Sequence, residues 1–443
     1  MASRYIRLPQ AINDLTYASA LALFMLMLFV PASYQTIKAA LLALVMSGIV
    51  WGFFIGTVTI ALHRLIMVWV AVIVLTGVFF ITRGWLNDAP GAIRVGTVYV
   101  LWPLVFIVLI AAIPGRGGLQ ALLATLMIAA VAIGLYGASY IANAAGWWPD
   151  SLYWVLDQGQ AIGFYDGFVE YNMYSVSVLI ALVPILAGAI VDWDKHQSPL
   201  PRIWLWLGYT LCLALAILSG RRALWIVLLF SPFIYFLLSA FQPTGWQLMR
   251  TRLITAGKLM ALSVLVFFVL SALFDLSVEK MLAQLASSMP RAPDSGGAVA
   301  GTADMEVSAS LRYEQMVALW QGFLAEPWFG HGHGSVAAVI RSNEMPWAYE
   351  LTYLALLFHT GAVGTFLYVA CVGWIYWQGV QVIRHSAMYG PWMLAVLTGV
   401  SGLLIANATN PYLAKFDFMW VLFLPLAIIN RHLLEKSIEK DGV

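Results

Sequence analysis

Charge and cysteine are both scarce in this sequence. Only 10% of its 443 residues are charged and 62% are hydrophobic, whereas soluble domains carry about 25% charged residues. This composition excludes an ordinary soluble domain. The net charge is only +2 and no Lys/Arg run offers a track for a polyanion, so we expect no nucleic-acid partner. The two cysteines, Cys212 and Cys371, lie in separate apolar runs, which predicts packing roles and no disulfide.

Long apolar runs dominate what is present. Runs of about 20 residues recur, the length that a helix needs to cross roughly 30 Å of hydrocarbon. The 19 tryptophans and 19 tyrosines suit the two membrane–water interfaces. We predict about twelve membrane spans, at residues 16–31, 38–56, 61–82, 94–113, 119–142, 171–191, 203–218, 223–241, 254–274, 350–377, 391–408 and 416–431.

The N-terminal leader and the charges of the loops predict the topology. The leader lacks an A-x-A cleavage pattern and more apolar runs follow it, so the first span is expected to stay uncleaved. Twelve spans place both termini on one side, and the loops on that side are rich in Lys and Arg. Loop 143–170, by contrast, holds carboxylates and no Lys or Arg. The positive-inside rule therefore predicts cytoplasmic termini and an extracytoplasmic loop 275–349.

The expected fold class is all-α, a polytopic membrane helix bundle with one large, mostly helical extracytoplasmic loop. Residues 1–274 would hold nine spans, and residues 275–349 would form the loop. Residues 350–443 would hold the last three spans and a cytoplasmic tail. No internal repeat of the kind that many transporters show is visible.

Two helices are predicted inside the large loop. Residues 276–289 have helical periodicity, residues 290–308 are typical of a linker, and a second helix is expected to start near Ser310 and end before Pro327. At about 100° per residue, one face of that helix carries Arg312, Met316, Leu319 and Phe323. Arg312 thus points with the apolar stripe, which favours anion binding. The alternative is an ion pair with Glu306 or Asp304.

Two adjacent arginines, Arg221 and Arg222, join two spans with almost no loop between them. They face away from the cytoplasm, against the positive-inside bias. A guanidinium stays charged and matches phosphate oxygens in a bidentate way, so the pair is a candidate phosphate clamp. The alternative is snorkelling to the lipid headgroups.

The string GHGHG at residues 330–334 sets two histidines between glycines. His331 or His333 is a candidate general base, because an imidazole titrates near pH 6.5, and the glycines allow backbone amides to approach an anion. A plain glycine turn with exposed histidines is the alternative. A zinc site would need further ligands, and no Cys lies nearby, so no metal is expected. Glu350, at the start of the next span, is a second candidate base or a snorkelling carboxylate.

Two further polar positions lie at predicted span ends. Asn172 opens a span and could hydrogen-bond a sugar or a phosphate, although capping that helix is the simpler interpretation. Lys415 and Asp417, before the last span, are interpreted as an ion pair of small energetic worth.

Three features in this order resemble the O-antigen ligase and polymerase superfamily of bacterial envelopes. They are SGRRA at a mid-chain span, a loop in which LRYEQMVALW leads to EPWFGHGHG, and a following span ELTYLALLFHTGAVG. The resemblance covers roughly residues 160–410, and the span count and topology agree with it. One departure concerns the place eleven residues before Gly361. Family members often carry His-Asn there, and this sequence has Glu350 followed by Leu351.

The resemblance implies a metal-independent, inverting glycosyltransferase without a cofactor, in the bacterial inner membrane with its site facing the periplasm. Such an enzyme takes a glycan from an undecaprenyl-pyrophosphate donor and transfers it to a lipid A-core acceptor. By matching position, Arg221 or Arg222 and Arg312 would bind the pyrophosphate. His331, His333 or Glu350 would be the base.

Other functions remain open at this point. Within the same class, the chain could be an O-antigen polymerase or a ligase that glycosylates protein. A transporter or flippase of lipid-linked sugars would instead need ionisable residues at mid-membrane depth and repeat symmetry. Here the charges gather at loop ends. A membrane protein without catalytic activity is the weakest alternative.

Overall fold

A computed structural model describes residues 8–31, 33–55, 62–113, 115–156, 160–165, 167–193, 198–243, 245–286, 303–340, 343–415 and 418–441. These residues form a helical protein with one β-hairpin. The helices are α1 (Leu8–Phe29), α2 (Gln35–Ile55), α3 (Arg64–Leu86), α4 (Ala92–Gly96), α5 (Trp102–Ala112), α6 (Gly115–Ala144), α7 (Leu179–Val191), α8 (Arg202–Leu218), α9 (Arg222–Ser239), α10 (Trp246–Phe274), α11 (Val278–Ala286), α12 (Ala303–Ala325), α13 (Thr352–His385), α14 (Gly390–Ala406) and α15 (Trp420–Asp441). The hairpin pairs β1 (Ala161–Tyr165) antiparallel with β2 (Phe168–Asn172).

The apolar runs form the helices that the sequence predicts. In the described chain, eight helical segments are long and apolar enough to cross a membrane: Gln35–Ile55, Arg64–Leu86, Ala92–Ala112, Gly115–Ala144, Tyr174–Val191, Arg222–Ser239, Trp246–Phe274 and Thr352–His385. Three shorter apolar helices accompany them: Asn13–Phe29, Arg202–Leu218 and Gly390–Ala406. The prediction of an all-α membrane helix bundle is confirmed. The count of twelve crossings stays a prediction.

The centre of the bundle is the packing of α14 against α7, which is buried along nearly its whole length. Small residues let the two backbones approach closely, as in other membrane helix pairs. A Cβ atom added at Gly402 would lie 2.8 Å from the carbonyl oxygen of Ile180. It would also lie 2.9 Å from Val227 on α9. The start of α7, the end of α14 and the start of α9 therefore lie at one end of the bundle, called the site end below.

Helix α13 is interrupted at Gly361, whose φ of 61° and ψ of −168° are not helical. The segment Pro327–Ser335 enters the break. The amide of Ala362 donates to the carbonyl of Pro327 at 2.8 Å, and that of Val363 donates to Trp328 at 3.1 Å. A Cβ at Gly361 would lie 2.4 Å from the Trp328 carbonyl, so only glycine fits. The loop that precedes α13 is thus part of the bundle wall.

Three local predictions differ from the structure or fall outside it. Helix α12 begins at Ala303 and not near Ser310, although it ends before Pro327 as expected. The hairpin was not predicted, because its strands are only five residues long and lie beside long apolar runs. Most of the predicted linker, residues 290–302, lies outside the described residues.

Cys212 and Cys371 are free and buried, as packing residues should be.

Candidate functional site

Arg221 is held at the site end by residues that precede α7. Its Nη2 donates to Oδ1 of Asn172 at 2.6 Å and to the carbonyl of Met173 at 3.5 Å, while its Nη1 donates to the hydroxyl of Ser177. The backbone of Gly220 has φ of 65° and packs on β2, where an added Cβ would lie 3.0 Å from a carbonyl oxygen. The SGRR turn and the hairpin together fix the direction of the guanidinium.

Arg312 forms an ion pair with Glu350. Its Nε lies 2.6 Å from Oε2 of the carboxylate, and the two side chains are 11% and 15% exposed. Helix α12 is fixed against the start of α13 by a small apolar cluster: Leu319, Tyr349, Ala355 and Phe358. The apolar stripe of α12 therefore orients Arg312 inward, as its position on that face predicts. The alternative partners Glu306 and Asp304 have side chains outside the described residues.

Tyr412 joins the two arginine sites. It is 5% exposed and lies in the connection between α14 and α15. Burial raises the pKa of its phenol, whereas the charge of Arg221 and a hydrogen bond to Arg221 lower that pKa. The charge of Glu350 raises it, so Glu350 also lies within electrostatic reach. Tyr412 thus lies within electrostatic reach of both Arg221 and the Arg312–Glu350 pair, and these four residues are called the arginine cluster below.

The arginine cluster carries two guanidinium groups and one carboxylate, so these three groups sum to one positive charge. The two cations come from elements far apart in sequence, α12 and the turn before α9. Each guanidinium is already oriented by hydrogen bonds, Arg221 by Asn172 and Ser177 and Arg312 by Glu350. Preoriented cations of this kind stabilise an anion without reorganising first. The cluster therefore offers preoriented cationic donors to an anionic ligand.

The two histidines of GHGHG lie in a packed loop between α3 and α13. Nε2 of His331 donates to the carbonyl of Gly322 at 2.9 Å. His333 is 1% exposed, stacks on Tyr99 at 3.9 Å and has its Nε2 3.0 Å from the hydroxyl of Tyr368. Burial holds the pKa of His333 well below its usual value. Both rings contact protein groups that are not part of the arginine cluster.

The glycines of GHGHG serve packing and not anion binding. The amides of His331, Gly332 and His333 donate to the carbonyls of Phe358, His359 and Phe80, so they are already used. A Cβ added at Gly332 would lie 2.1 Å from the amide nitrogen of Gly84. Among the described residues, no three His, Cys, Asp or Glu side chains are grouped closely enough to hold a metal ion.

The remaining predicted residues lie as follows. Asn172 ends β2 and orients Arg221, so its expected role as a helix cap is wrong. Arg222 is half-buried at the first position of α9, directly beside Arg221. Lys415 is exposed, and Asp417 lies outside the described residues. Sequence reasoning missed Tyr412, whose one signal was its place after Asn410-Pro411, a turn-forming pair at a span end.

Two cavities lie among the described helices, and neither has a residue of the arginine cluster in its wall. One of about 180 Å³ lies between α3, α13 and the connection after α14, and Tyr349, Tyr353 and Asn407 are part of its wall. The other, of about 610 Å³, lies among α7, α8, α9 and α10 and is mostly apolar. Its wall includes Ile217, four residues before Arg221.

Comparison with known proteins adds no assignment. No protein-family model matches the chain, and no curated protein is significantly similar to it in sequence.

Proposed function

We propose that this protein is a bacterial inner-membrane glycosyltransferase. It transfers O-antigen polysaccharide from undecaprenyl pyrophosphate to lipid A-core on the periplasmic side. The observation that carries the proposal is that Arg312 pairs with Glu350, while Tyr412 lies within electrostatic reach of both Glu350 and Arg221. The resemblance of the SGRRA, LRYEQMVALW and ELTYLALLFHTGAVG segments to the O-antigen ligase and polymerase superfamily gives the reaction class.

The pyrophosphate is bound by Arg221 and Arg312. Its charge grows as the bond to the sugar breaks, and fixed cations favour that change. A guanidinium has five N–H donors, so the bond from Arg312 to Glu350 is compatible with phosphate binding by the same group. Asn172 and Ser177 keep Arg221 aimed while the ligand arrives. Arg222 is the neighbouring cation and a second contact for the phosphates.

Glu350 is the general base in this mechanism. It belongs to the arginine cluster, whereas His331 and His333 contact other protein groups. The carboxylate takes the proton of the acceptor hydroxyl as that oxygen attacks the anomeric carbon. The carbon–oxygen bond to the pyrophosphate breaks on the opposite face, which inverts the anomeric centre. The electron pair leaves with the pyrophosphate, next to Arg221 and Arg312.

The larger cavity accommodates part of the prenyl chain. Its wall is apolar, and its volume of about 610 Å³ is that of a lipid segment and not of a single sugar. The position of Ile217 in this wall connects the cavity to Arg221 through one turn of chain. A chain lying there would present its pyrophosphate to the arginine cluster.

Transfer in vitro tests the proposal. The full chain in nanodiscs is mixed with an undecaprenyl-pyrophosphate-linked glycan and lipid A-core, with and without EDTA. Arg221→Ala, Arg312→Ala and Glu350→Gln should each lose transfer. Arg250→Ala is the matched control, because Arg250 is an exposed arginine near the start of α10 and is not part of the cluster.

Three results would count against parts of the proposal. Wild-type transfer by Arg221→Ala or Arg312→Ala would exclude the cluster as the pyrophosphate site. Inhibition by EDTA would exclude a metal-independent mechanism. Transfer to a growing O-antigen chain, or to a protein, but not to lipid A-core would assign the same chemistry to a polymerase or to a protein-glycosylating enzyme.

A further inference from the structure

Gln315 is a buried polar side chain on α12, three residues after Arg312. It is 0% exposed, and neither Oε1 nor Nε2 has a hydrogen-bond partner within the described part of the chain. The observation does not depend on which atom is assigned as nitrogen, because both lack partners. A buried polar group without a partner destabilises the folded protein. An apolar residue would fill this position more stably, which indicates that the amide meets a ligand.

The position of Gln315 on α12 indicates that its ligand is attached to the phosphate bound by Arg312. It lies three residues after Arg312, about 4.5 Å further along the helix axis and about 60° around it. Four residues later, Leu319 packs against Tyr349, the neighbour of Glu350. Gln315 therefore lies on the face of α12 that carries Arg312 and faces the segment with Glu350. When a phosphate is bound at Arg312, the sugar attached to that phosphate is long enough to reach Gln315.

The hydrogen-bonding capacity of the amide limits which ligand groups Gln315 can bind. A carboxamide both donates and accepts hydrogen bonds. A phosphate oxygen only accepts and would leave Oε1 without a partner. A sugar hydroxyl or acetamido group donates and accepts, so it satisfies both ends of the side chain. We propose that Gln315 binds such a group on the sugar directly attached to the donor pyrophosphate, and so selects that sugar. This inference rests on the function proposed above.

Binding to two probes tests the inference. The probes are undecaprenyl pyrophosphate carrying an oligosaccharide and undecaprenyl pyrophosphate without sugar, each titrated into the full chain in nanodiscs. The wild type should bind the sugar-bearing probe more tightly. Gln315→Leu removes two neutral hydrogen bonds of about 1 kcal/mol each, so its affinity for that probe should fall about 10- to 30-fold. Its affinity for the sugar-free probe should not change.

Gln321→Leu is the matched control, because Gln321 is an exposed glutamine on the same helix. It should bind both probes as the wild type does. The thermal unfolding temperature of Gln315→Leu should be equal to that of the wild type or higher, because the substitution removes a buried polar group without a partner. A lower temperature together with weaker binding of both probes would show a structural role and overturn the inference.

Two further outcomes separate this inference from the proposed function. If Gln315→Leu keeps the preference for the sugar-bearing probe, Gln315 does not bind the sugar, and the pyrophosphate site stands. If the wild type binds neither probe, the proposed donor is wrong, and the inference falls with it.

Discussion

The ion pair between Arg312 and Glu350 allows the sharpest test of the mechanism, because stability and catalysis respond differently to two substitutions. The Nε–Oε2 distance is 2.6 Å and both side chains are largely buried. Glu350→Ala leaves the arginine charge without this partner, which costs about 3–5 kcal/mol for a buried pair. Glu350→Gln keeps a neutral oxygen that can still accept from Nε. A hydrogen bond to a charged group is worth about 1.5–3 kcal/mol, so the loss should be about 1 kcal/mol.

Catalysis should not follow that order. Neither alanine nor glutamine can take a proton from the acceptor, and removal of a general base lowers the rate by about 10²- to 10⁴-fold. We expect both variants to lose transfer to that extent, while Glu350→Gln unfolds at nearly the wild-type temperature and binds the donor. The assays are thermal unfolding, donor titration and initial rates of transfer at saturating donor.

Glu350→His completes this test. It places an imidazole where members of the superfamily that the sequence resembles often carry one, so transfer should return in part. The rate of transfer by this variant should fall as the pH drops below about 6.5, because only the neutral imidazole accepts a proton. The reasoning is refuted if Glu350→Gln transfers at the wild-type rate. It is also refuted if the rates of the glutamine and alanine variants follow their stabilities.

Three further predictions concern residues around the cluster. Asn172→Ala should raise the Kd for the donor about 10-fold or more, because Arg221 loses a hydrogen bond worth about 1.5–3 kcal/mol. Donor titration measures this Kd. Gly361→Ala should lower the unfolding temperature strongly or prevent folding, because a Cβ there would lie 2.4 Å from backbone atoms. The control is Gly373→Ala on the same helix, which should not change the unfolding temperature because a Cβ there has no atom within 4 Å. His333 has a folded-state pKa below its unfolded value, so its contribution to stability is complete above about pH 6.5 and is lost as the pH falls below that. The difference in unfolding temperature between the wild type and His333→Phe should therefore shrink as the pH is lowered from 7.5 to 5.

The helices and one half of the site follow from local patterns. Apolar runs of membrane-spanning length became helices because a chain in hydrocarbon must satisfy its own backbone. The inward direction of Arg312 followed from its spacing relative to Leu319, since helical periodicity fixes which residues share a face. The partner of Arg312 did not follow, because Glu350 is 38 residues away and approaches only after α12 packs on α13.

The interpretation of the histidines shows what local sequence patterns do not predict. Glycine on both sides of a histidine suggests an open, flexible loop. The structure instead inserts that loop into the break of α13, where carbonyls of α3 and α13 use its amides. Those carbonyls belong to Phe80 and Phe358, and no spacing rule connects them to residue 331. Tyr412 and Gln315 were missed for the same reason, because burial and the absence of a partner are tertiary properties.

Several cations that the charge bias predicts to face outward have structural roles. The bias could not distinguish these roles from ligand binding. Nζ of Lys38 donates to the carbonyl of Val30 at 2.6 Å, where it satisfies backbone oxygens after α1. Nε of Arg83 donates to the carbonyl of Gly330 at 2.6 Å and so holds the GHGHG loop. Arg221 and Arg312 differ because their hydrogen bonds go to side chains, those of Asn172 and Ser177 for Arg221 and that of Glu350 for Arg312.

The break in α13 has a consequence for biogenesis. Ala362 and Val363 would have unsatisfied amides if α13 entered the membrane alone, because the break removes the intrahelical acceptors that they need. Their acceptors, the carbonyls of Pro327 and Trp328, are made some 35 residues earlier and leave the ribosome first. The chain order therefore delivers the partner before the helix that depends on it. Moving the loop to follow α13, as in a circular permutant, would reverse that order and expose the helix to quality-control proteolysis during insertion.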